Sequence, residues 1–128
     1  MEKRELLKKI FTDNGLEKED VFKKEFKDGK SFVIITRTGI EKIQAIQKYK
    51  VTFELSFFPE VSTFVCKAQC YTDNKFIETY GEASPQNCTT SYLVAMAEKR
   101  ALSRAVLKMV GLYELGVFGE DESEEFKK

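Results

Sequence analysis

The longest segment in which apolar and polar positions follow one clear period lies between residues 90 and 111, TSYLVAMAEKRALSRAVLKMVG. At ~100° per residue its apolar side chains fall on one broad face. The hydroxyl-bearing residues 89–91 can cap the start of a helix, and Gly111 stands where helices commonly end. The pattern therefore predicts an amphipathic helix of about twenty residues. Its apolar face comprises Val94, Ala101, Leu102, Ala105, Val106 and Met109.

Small residues recur along this helix, with Ala97, Ala101 and Ala105 at i, i+4 and i+8. Such a row would let the helix lie close to a sheet. By the same spacing Glu98 falls on the packing side, between Ala101 and Ala105. A lone carboxylate there is costly unless it is paired. A structural ion pair is therefore expected for Glu98.

The rest of the chain alternates between short helical and strand patterns. Residues 2–11 and 38–46 carry apolar residues at helical spacing, which predicts two short helices. The tripeptide Asp28-Gly29-Lys30 predicts a hairpin leading into the apolar strand Ser31–Thr36. Three further strands are predicted, and their short connections make the meander antiparallel. They span Tyr49–Phe57, Val61–Tyr71 and Phe76–Glu82.

This order of elements predicts an α+β fold, in which a long C-terminal helix packs on one face of an antiparallel β-meander sheet with short N-terminal helices. Residues 1–118 are expected to form a single domain that ends in a short cap over 112–118. Residues 119–128 are strongly acidic and predict a mobile tail.

The 128 residues include 21 Lys or Arg and 21 Asp or Glu, so the net charge is zero. The charges are unevenly spread, because the first fifty residues are basic overall and the last ten are acidic. No apolar run approaches the ~18 residues of a membrane span, and the N-terminus lacks a signal-peptide core. A cytoplasmic protein without membrane contact is therefore expected.

The chain contains little that suggests catalysis. It has no histidine, no phosphate-binding glycine motif and no zinc-protease motif, so we expect neither enzymatic activity nor a cofactor nor a metal site. Cys66, Cys70 and Cys88 are odd in number and have no histidine to join them. Buried reduced thiols are a better interpretation than zinc ligands or disulfides.

A basic stripe on the long helix is the main candidate for binding chemistry. Arg100, Arg104 and Lys108 stack at i, i+4 and i+8, where a solvated helix face is the simpler interpretation. Aromatic residues of the predicted strands, otherwise expected in the core, lie next to lysines, which would suit a groove for a single nucleic-acid strand. Those lysines are Lys48, Lys50, Lys67 and Lys75.

Residues 78–116, ETYGEASPQNCTTSYLVAMAEKRALSRAVLKMVGLYELG, resemble the conserved segment of the single-strand annealing proteins. That superfamily includes the eukaryotic Rad fifty-two mediator and several phage recombination proteins. In it a meander strand ends in a glycine-containing turn, and a long helix follows a loop and packs on the sheet. Here Gly81–Ala83 fills the turn, Ala97–Ala101 the helix start and Arg104–Gly111 its end. Residues 33–43 resemble the strand-then-helix element of phage members.

The resemblance implies homo-oligomeric rings or arcs that bind single-stranded DNA in a basic groove and anneal complementary strands without cofactor or hydrolysis. The family's basic positions late in the helix fall on Arg104 and Lys108. Ala105 stands where the family often has a second basic residue. The resemblance thus implies a function in phage-type recombination, in which the protein holds single-stranded DNA through phosphate contacts and base stacking. The acidic tail with Phe126 could compete for the groove or recruit a protein partner, although a solubilising tail is the simpler interpretation.

Two alternatives remain open. The first is a non-catalytic protein-interaction or structural module on the same scaffold, without nucleic-acid binding. The second is a small-ligand or catalytic domain, which would require a deep apolar pocket with convergent polar groups. Salt-sensitive binding to oligonucleotides separates the annealing hypothesis from the interaction module.

Overall fold

The computed structural model describes residues 2–25, 28–88 and 91–123. It has the predicted α+β fold, with short 3-10 turns at Lys18–Asp20, Pro59–Val61 and Tyr113–Leu115. The elements in chain order are α1 (Lys3–Asp13), β1 (Val21–Glu25), β2 (Ser31–Ile35), α2 (Arg37–Gln47), β3 (Lys50–Phe58), β4 (Thr63–Tyr71), β5 (Phe76–Ala83), α3 (Leu93–Val110), β6 (Val117–Gly119) and α4 (Glu120–Ser123).

The predicted meander is confirmed as an antiparallel sheet in the order β3-β4-β5. Alternation along β4 turns Cys66, Ala68 and Cys70 towards α3, where all three are buried. Helix α3 lies over β4 and β5 and leaves β3 largely uncovered. One face of the sheet is therefore packed, and the opposite face points away from the helix.

The close approach of α3 to β5 depends on small residues at the contact. Ala97, Ala101 and Ala105 are fully buried, as the alanine row predicts. A Cβ on Gly81 would overlap the backbone of Ala97 and Ala101. The hydroxyl of Thr79 donates to the carbonyl of Ala101 at 2.8 Å, which ties the strand to the helix.

A second three-stranded sheet has the order β1-β2-β6. The predicted hairpin joins β1 and β2 in antiparallel pairing, whereas β6 runs parallel to β2. Residues 117–119 were expected in a cap, because a three-residue strand carries too little periodicity to be recognised. Helices α1 and α2 and the second half of α3 pack with this sheet in a second apolar cluster, whose buried members are Ile35, Ile40, Ile43, Val106, Leu107, Leu112 and Val117.

The long helix ends as predicted and begins later than predicted. Gly111 has a left-handed conformation with φ of 87°, typical of a helix C-terminus. The helix begins at Leu93, after Tyr92, and Tyr92 makes no side-chain cap. The candidate capping residues 89 and 90 lie outside the described residues.

The sequence predicted a mobile acidic tail from residue 119 onwards. This prediction is wrong for residues 119–123, which belong to the fold. Gly119 pairs with Ile35 in the β1-β2-β6 sheet, and α4 follows it directly. The Glu120 carboxylate accepts a hydrogen bond from Arg37 N at 2.6 Å, at the start of α2. These acidic residues pack against the fold because Glu120 binds the N-terminus of α2 and Glu122 pairs with Arg104. Residues 124–128, including Phe126, lie outside the described residues.

Candidate nucleic-acid surface

Arg100 is fully buried, with 0 % of its surface exposed. Its Nε donates to Asp121 O at 3.1 Å, and Nη1 donates to Glu82 O at 2.8 Å. Nη1 also reaches Asn87 Oδ1 at 2.9 Å, and Nη2 reaches Asn87 O at 2.8 Å. The solvated helix face expected for the basic stripe therefore does not include Arg100, and a phosphate contact by Arg100 would require this network to open. A buried guanidinium needs all its donors satisfied, and backbone carbonyls from three segments supply most of the acceptors.

Arg104 also makes most of its contacts within the fold, and only 17 % of its side chain is exposed. Its Nη1 donates to Tyr80 O at 2.5 Å, and its Nε lies 3.3 Å from Glu122 Oε1. Glu122 is itself buried, and Glu82 completes the site with its Oε1 3.9 Å from Nη1 of Arg104. The predicted phosphate contact by Arg104 would require this ion pair to open.

The two arginines together cover one edge of the β3-β4-β5 sheet. Their carbonyl acceptors, on Tyr80 and Glu82, lie two residues apart on β5 and therefore point to the same side of the strand. The other side of β5 pairs with β4. Arg100 and Arg104 thus cover the outer edge of β5, and α4 packs behind them.

Two of the predicted lysines lie at the C-terminal end of α3. Lys108 is exposed, and its Nζ lies 5.1 Å from the ring centroid of Tyr113. Lys75 Nζ donates to Met109 O at 3.1 Å, where the helix dipole favours a cation. Lys75 therefore faces the helix end.

The topology brings two further lysines to this end of the molecule. Lys50 is the first residue of β3 and pairs with Tyr71, whose other neighbour is Phe76 on β5. Exposed Lys48 precedes β3 at the end of α2. We call these four lysines together the basic end. Acidic residues of this end are Asp73, in the β4–β5 turn, and Glu114. The basic end comprises Lys48, Lys50, Lys75 and Lys108.

Lys67 projects from the sheet face turned away from α3, which we call the open face. Its Nζ lies 3.3 Å from Glu54 Oε2 on the neighbouring strand. This carboxylate is the main cause of the raised pKa of Lys67. On the other side Lys67 pairs with Tyr80, so the three side chains share one face.

Aromatic side chains are exposed on the same open face, a feature that periodicity alone did not reveal. Phe76 is 56 % exposed and Tyr80 is 53 % exposed. Three carboxylates of this face have polar partners, since Glu54 pairs with Lys67, Glu78 accepts a hydrogen bond from Gln69 Nε2 at 2.8 Å, and Glu82 Oε1 lies 3.9 Å from Arg104 Nη1. The open face therefore combines aromatic rings with lysines and partly neutralised acids.

Glu98 is exposed, so the prediction that it lies on the packing side is wrong. It lines an open groove at the start of α3 together with Phe64, Tyr92 and Val94. The helical wheel puts Glu98 on the flank of the buried alanine row, and on this flank β3 is left uncovered by the helix. The carboxylate is therefore at the rim of the sheet contact.

The three cysteines are free and buried, as predicted. Burial raises the pKa of Cys70 to about 11, although Lys75 opposes this shift. Burial and, to a lesser degree, Glu98 raise the pKa of Cys66. Within residues 2–25, 28–88 and 91–123, no group of three or more His, Cys, Asp or Glu side chains could hold a metal ion.

No protein-family model, curated protein or solved structure matches the chain. In the part of the chain that the structure describes, no helix is both long enough and apolar enough to cross a membrane.

Proposed function

We propose that the chain binds single-stranded DNA on the open face and along the basic end, and that it anneals complementary strands as a cytoplasmic homo-oligomer without a cofactor. The resemblance of residues 78–116 to the single-strand annealing proteins suggests this activity, in phage-type recombination. The observation that carries the proposal is the open face itself, where exposed Phe76 and Tyr80 lie in the same sheet surface as Lys50 and Lys67.

Exposed aromatic rings support binding of single strands because each can stack on an unpaired base. Such stacking contributes roughly 1–3 kcal/mol per base and depends little on sequence. Phe76 and Tyr80 lie on β5, four residues apart on one face and ~13 Å from each other along the strand. That spacing would let a strand contact two rings with bases between them.

The basic end would supply phosphate contacts at the end of the sheet where β5 begins. Lys50 lies on the open face, whereas Lys75 and Lys108 lie at the C-terminus of α3 on the other side of the sheet, so a bound strand would pass around the β4–β5 turn to reach them. Each phosphate that a lysine neutralises releases counterions, so affinity falls as salt rises. A few such contacts per protomer are weak, and assembly would multiply them along one strand. The outward base edges would remain open to a complementary strand.

The test is fluorescence anisotropy of a labelled single strand of about thirty nucleotides, long enough for several sites. We expect binding that weakens steeply between low and moderate salt. Replacing both Phe76 and Tyr80 by alanine should weaken it at least about tenfold. Phe22→Ala is the matched control, since Phe22 is an exposed aromatic on β1 of the other sheet. Absence of salt-dependent binding by the wild-type protein, or equal weakening by Phe22→Ala, would count against the proposal.

An interaction module remains the second candidate because β3 exposes a row of large apolar side chains. Such patches on soluble proteins often mark protein contacts. Indifference to DNA at low salt, with a stable complex to another protein, would favour this alternative.

A further inference from the structure

Strand β3 has a long outer edge that no described element covers. It has nine residues that pair without interruption with β4, and all of them except Val51 are exposed. It contains no proline and no bulge, and its only charges are Lys50 and Glu54. Natural proteins usually protect such edges with charges, bulges or a covering segment. The described part of this chain provides β3 with little of that protection.

The other strand edges differ from β3. Arg100 and Arg104 cover the edge of β5 through the carbonyls of Glu82 and Tyr80. Strand β1 is only five residues long and carries two adjacent lysines, Lys23 and Lys24, a common form of edge protection. A head-to-tail continuation of the sheet, β3 of one copy on β5 of the next, is therefore obstructed at β5.

Beside this edge lies an uncovered apolar row on the α3 side of the sheet. Phe53 is 40 % exposed, Leu55 46 % and Phe57 50 %, because α3 crosses β4 and β5 and stops short of β3. Phe58, the next residue of β3, is also exposed, but on the open face of the sheet. Half-exposed rings along an unpaired edge mark a surface that is incomplete in the isolated chain.

We propose that a second copy of this chain occupies this edge, with the two β3 strands paired antiparallel about a two-fold axis at Leu55. This register places Phe53 opposite the partner copy's Phe57 and Glu54 opposite its Ser56. It opposes no like charges, whereas a register centred on Glu54 would set two carboxylates against each other. Strand β3 is thus complementary to itself.

The length of the edge suits a specific dimer. With the axis at Leu55, residues 52–58 of each copy pair with one another, and seven residues at ~3.3 Å each give a strip of ~23 Å. Specific interfaces need about 600–800 Å² from each partner, which a paired strip of this length and its flanking side chains can approach. The result would be a six-stranded sheet with both α3 helices on one face and both open faces on the other. This assembly stands independently of DNA binding, and a ring or arc would need a further contact surface.

The test combines light scattering with a symmetric cross-link. We expect wild-type protein to have the mass of two chains or an even multiple over about 1–100 µM. Leu55→Lys should raise the dimer dissociation constant more than about tenfold, because two ammonium groups would face each other. Ile46→Lys is the control, since Ile46 is equally exposed on α2. Circular dichroism verifies that both variants fold.

Leu55→Cys tests the two-fold axis directly. Paired antiparallel residues have Cα atoms about 4.5–5.5 Å apart, within the range of a disulfide. Mild oxidation should link Leu55→Cys chains into pairs, and Ile46→Cys chains should stay unlinked. A monomeric wild type, an unchanged mass in Leu55→Lys, or no cross-link in an associated Leu55→Cys protein would each overturn the proposal. A monomeric protein that still binds DNA would contradict only the dimer proposal. A cross-linked dimer that does not bind DNA would contradict only the proposed annealing function.

Discussion

Two buried charged side chains each join separate segments of the chain. Arg100 connects α3 to α4, to β5 and to the loop after β5. The Asp20 Oδ2 accepts hydrogen bonds from Lys42 Nζ at 2.7 Å and Glu17 N at 2.9 Å, which connects the turn before β1 to α2. A buried charge costs several kcal/mol unless it is paired and hydrogen-bonded. Each is therefore sensitive to loss of its partner.

Replacing Arg100 by methionine should lower the free energy of unfolding by roughly 2–4 kcal/mol. Methionine fills much of the same volume but leaves the carbonyls of Glu82, Asn87 and Asp121 without their donor. Urea denaturation followed by circular dichroism measures the change. Lys108→Met, at an exposed position of the same helix, should stay within about 0.5 kcal/mol of wild type. Equal stabilities of the two variants would show that the Arg100 network contributes little.

Asp20 should make stability depend on pH in the acid range. The Lys42 ammonium and Glu17 N hold the pKa of the Asp20 carboxyl below its usual range. A carboxyl with a depressed folded pKa stabilises the protein above its unfolded pKa, about 3.9, and loses that contribution as pH falls through the folded value. Between about pH 5 and pH 2 the Tm of wild type should therefore fall more than that of Asp20→Asn.

Wild type must be compared with Asp20→Asn because Asp121 has the opposite effect on stability. Burial raises the pKa of Asp121, so protonation of Asp121 stabilises the folded protein as the pH falls through the same range. Asp13→Asn is the matched control, because Asp13 forms an exposed pair with Lys9. Parallel acid profiles of wild type and Asp20→Asn would refute the assignment.

The contact between α3 and β5 decides how the larger sheet is built. Alanines at i, i+4 and i+8 on the helix meet Gly81 on the strand, so the two backbones nearly touch. The helix then covers only β4 and β5, and the outer side chains of β3 stay exposed. A narrow helix contact therefore creates both the packed face and the uncovered edge.

Gly81→Ala should destabilise the protein by about 3 kcal/mol or more, because the added Cβ overlaps the backbone of Ala97 and Ala101 and must push α3 off the sheet. Chemical denaturation gives the value. At Gly29 a Cβ meets nothing within 4 Å, and Gly29→Ala should lose only about 1 kcal/mol from its left-handed φ of 85°. A Gly81→Ala protein as stable as Gly29→Ala would mean that the helix can move without cost.

At the scale of the whole molecule, α3 joins two apolar clusters. Its Ala101 and Ala105 belong to the cluster under β3-β4-β5, and its Val106 and Leu107 belong to the cluster with β1-β2-β6. Tyr49 packs against both clusters. The two sheets should therefore lose structure together rather than one after the other.

Leu107→Ala tests this coupling. Leu107 is fully buried in the cluster with β1-β2-β6, so its truncation should cost roughly 2–5 kcal/mol. Hydrogen exchange should show equal losses of protection for amides of β2 and β4 if both open in one global event. Ile46→Ala changes an exposed side chain and should leave the protection of both β2 and β4 amides unchanged. Loss confined to β2 would indicate that the sheets unfold separately.

Local periodicity predicted most of the elements. The alternation from Tyr49 to Phe57 gave β3, and the glycine at 111 marked the end of α3, because both signals arise from residues a few positions apart. The alanine row also identified the helix face that packs. These features depend on backbone geometry that the chain carries locally.

The tertiary structure alone decided how the charged residues are used. A helical wheel orders Glu98, Arg100 and Arg104 around α3 but does not say which arc is covered, so Glu98 came out exposed and Arg100 buried. Strand β6 and helix α4 formed because distant partners, β2 and the two arginines, were available to pair with them. The candidate DNA surface moved accordingly, from the arginine stripe to the open face and the basic end. Burial of a charge depends on partners far apart in sequence, which no local pattern records.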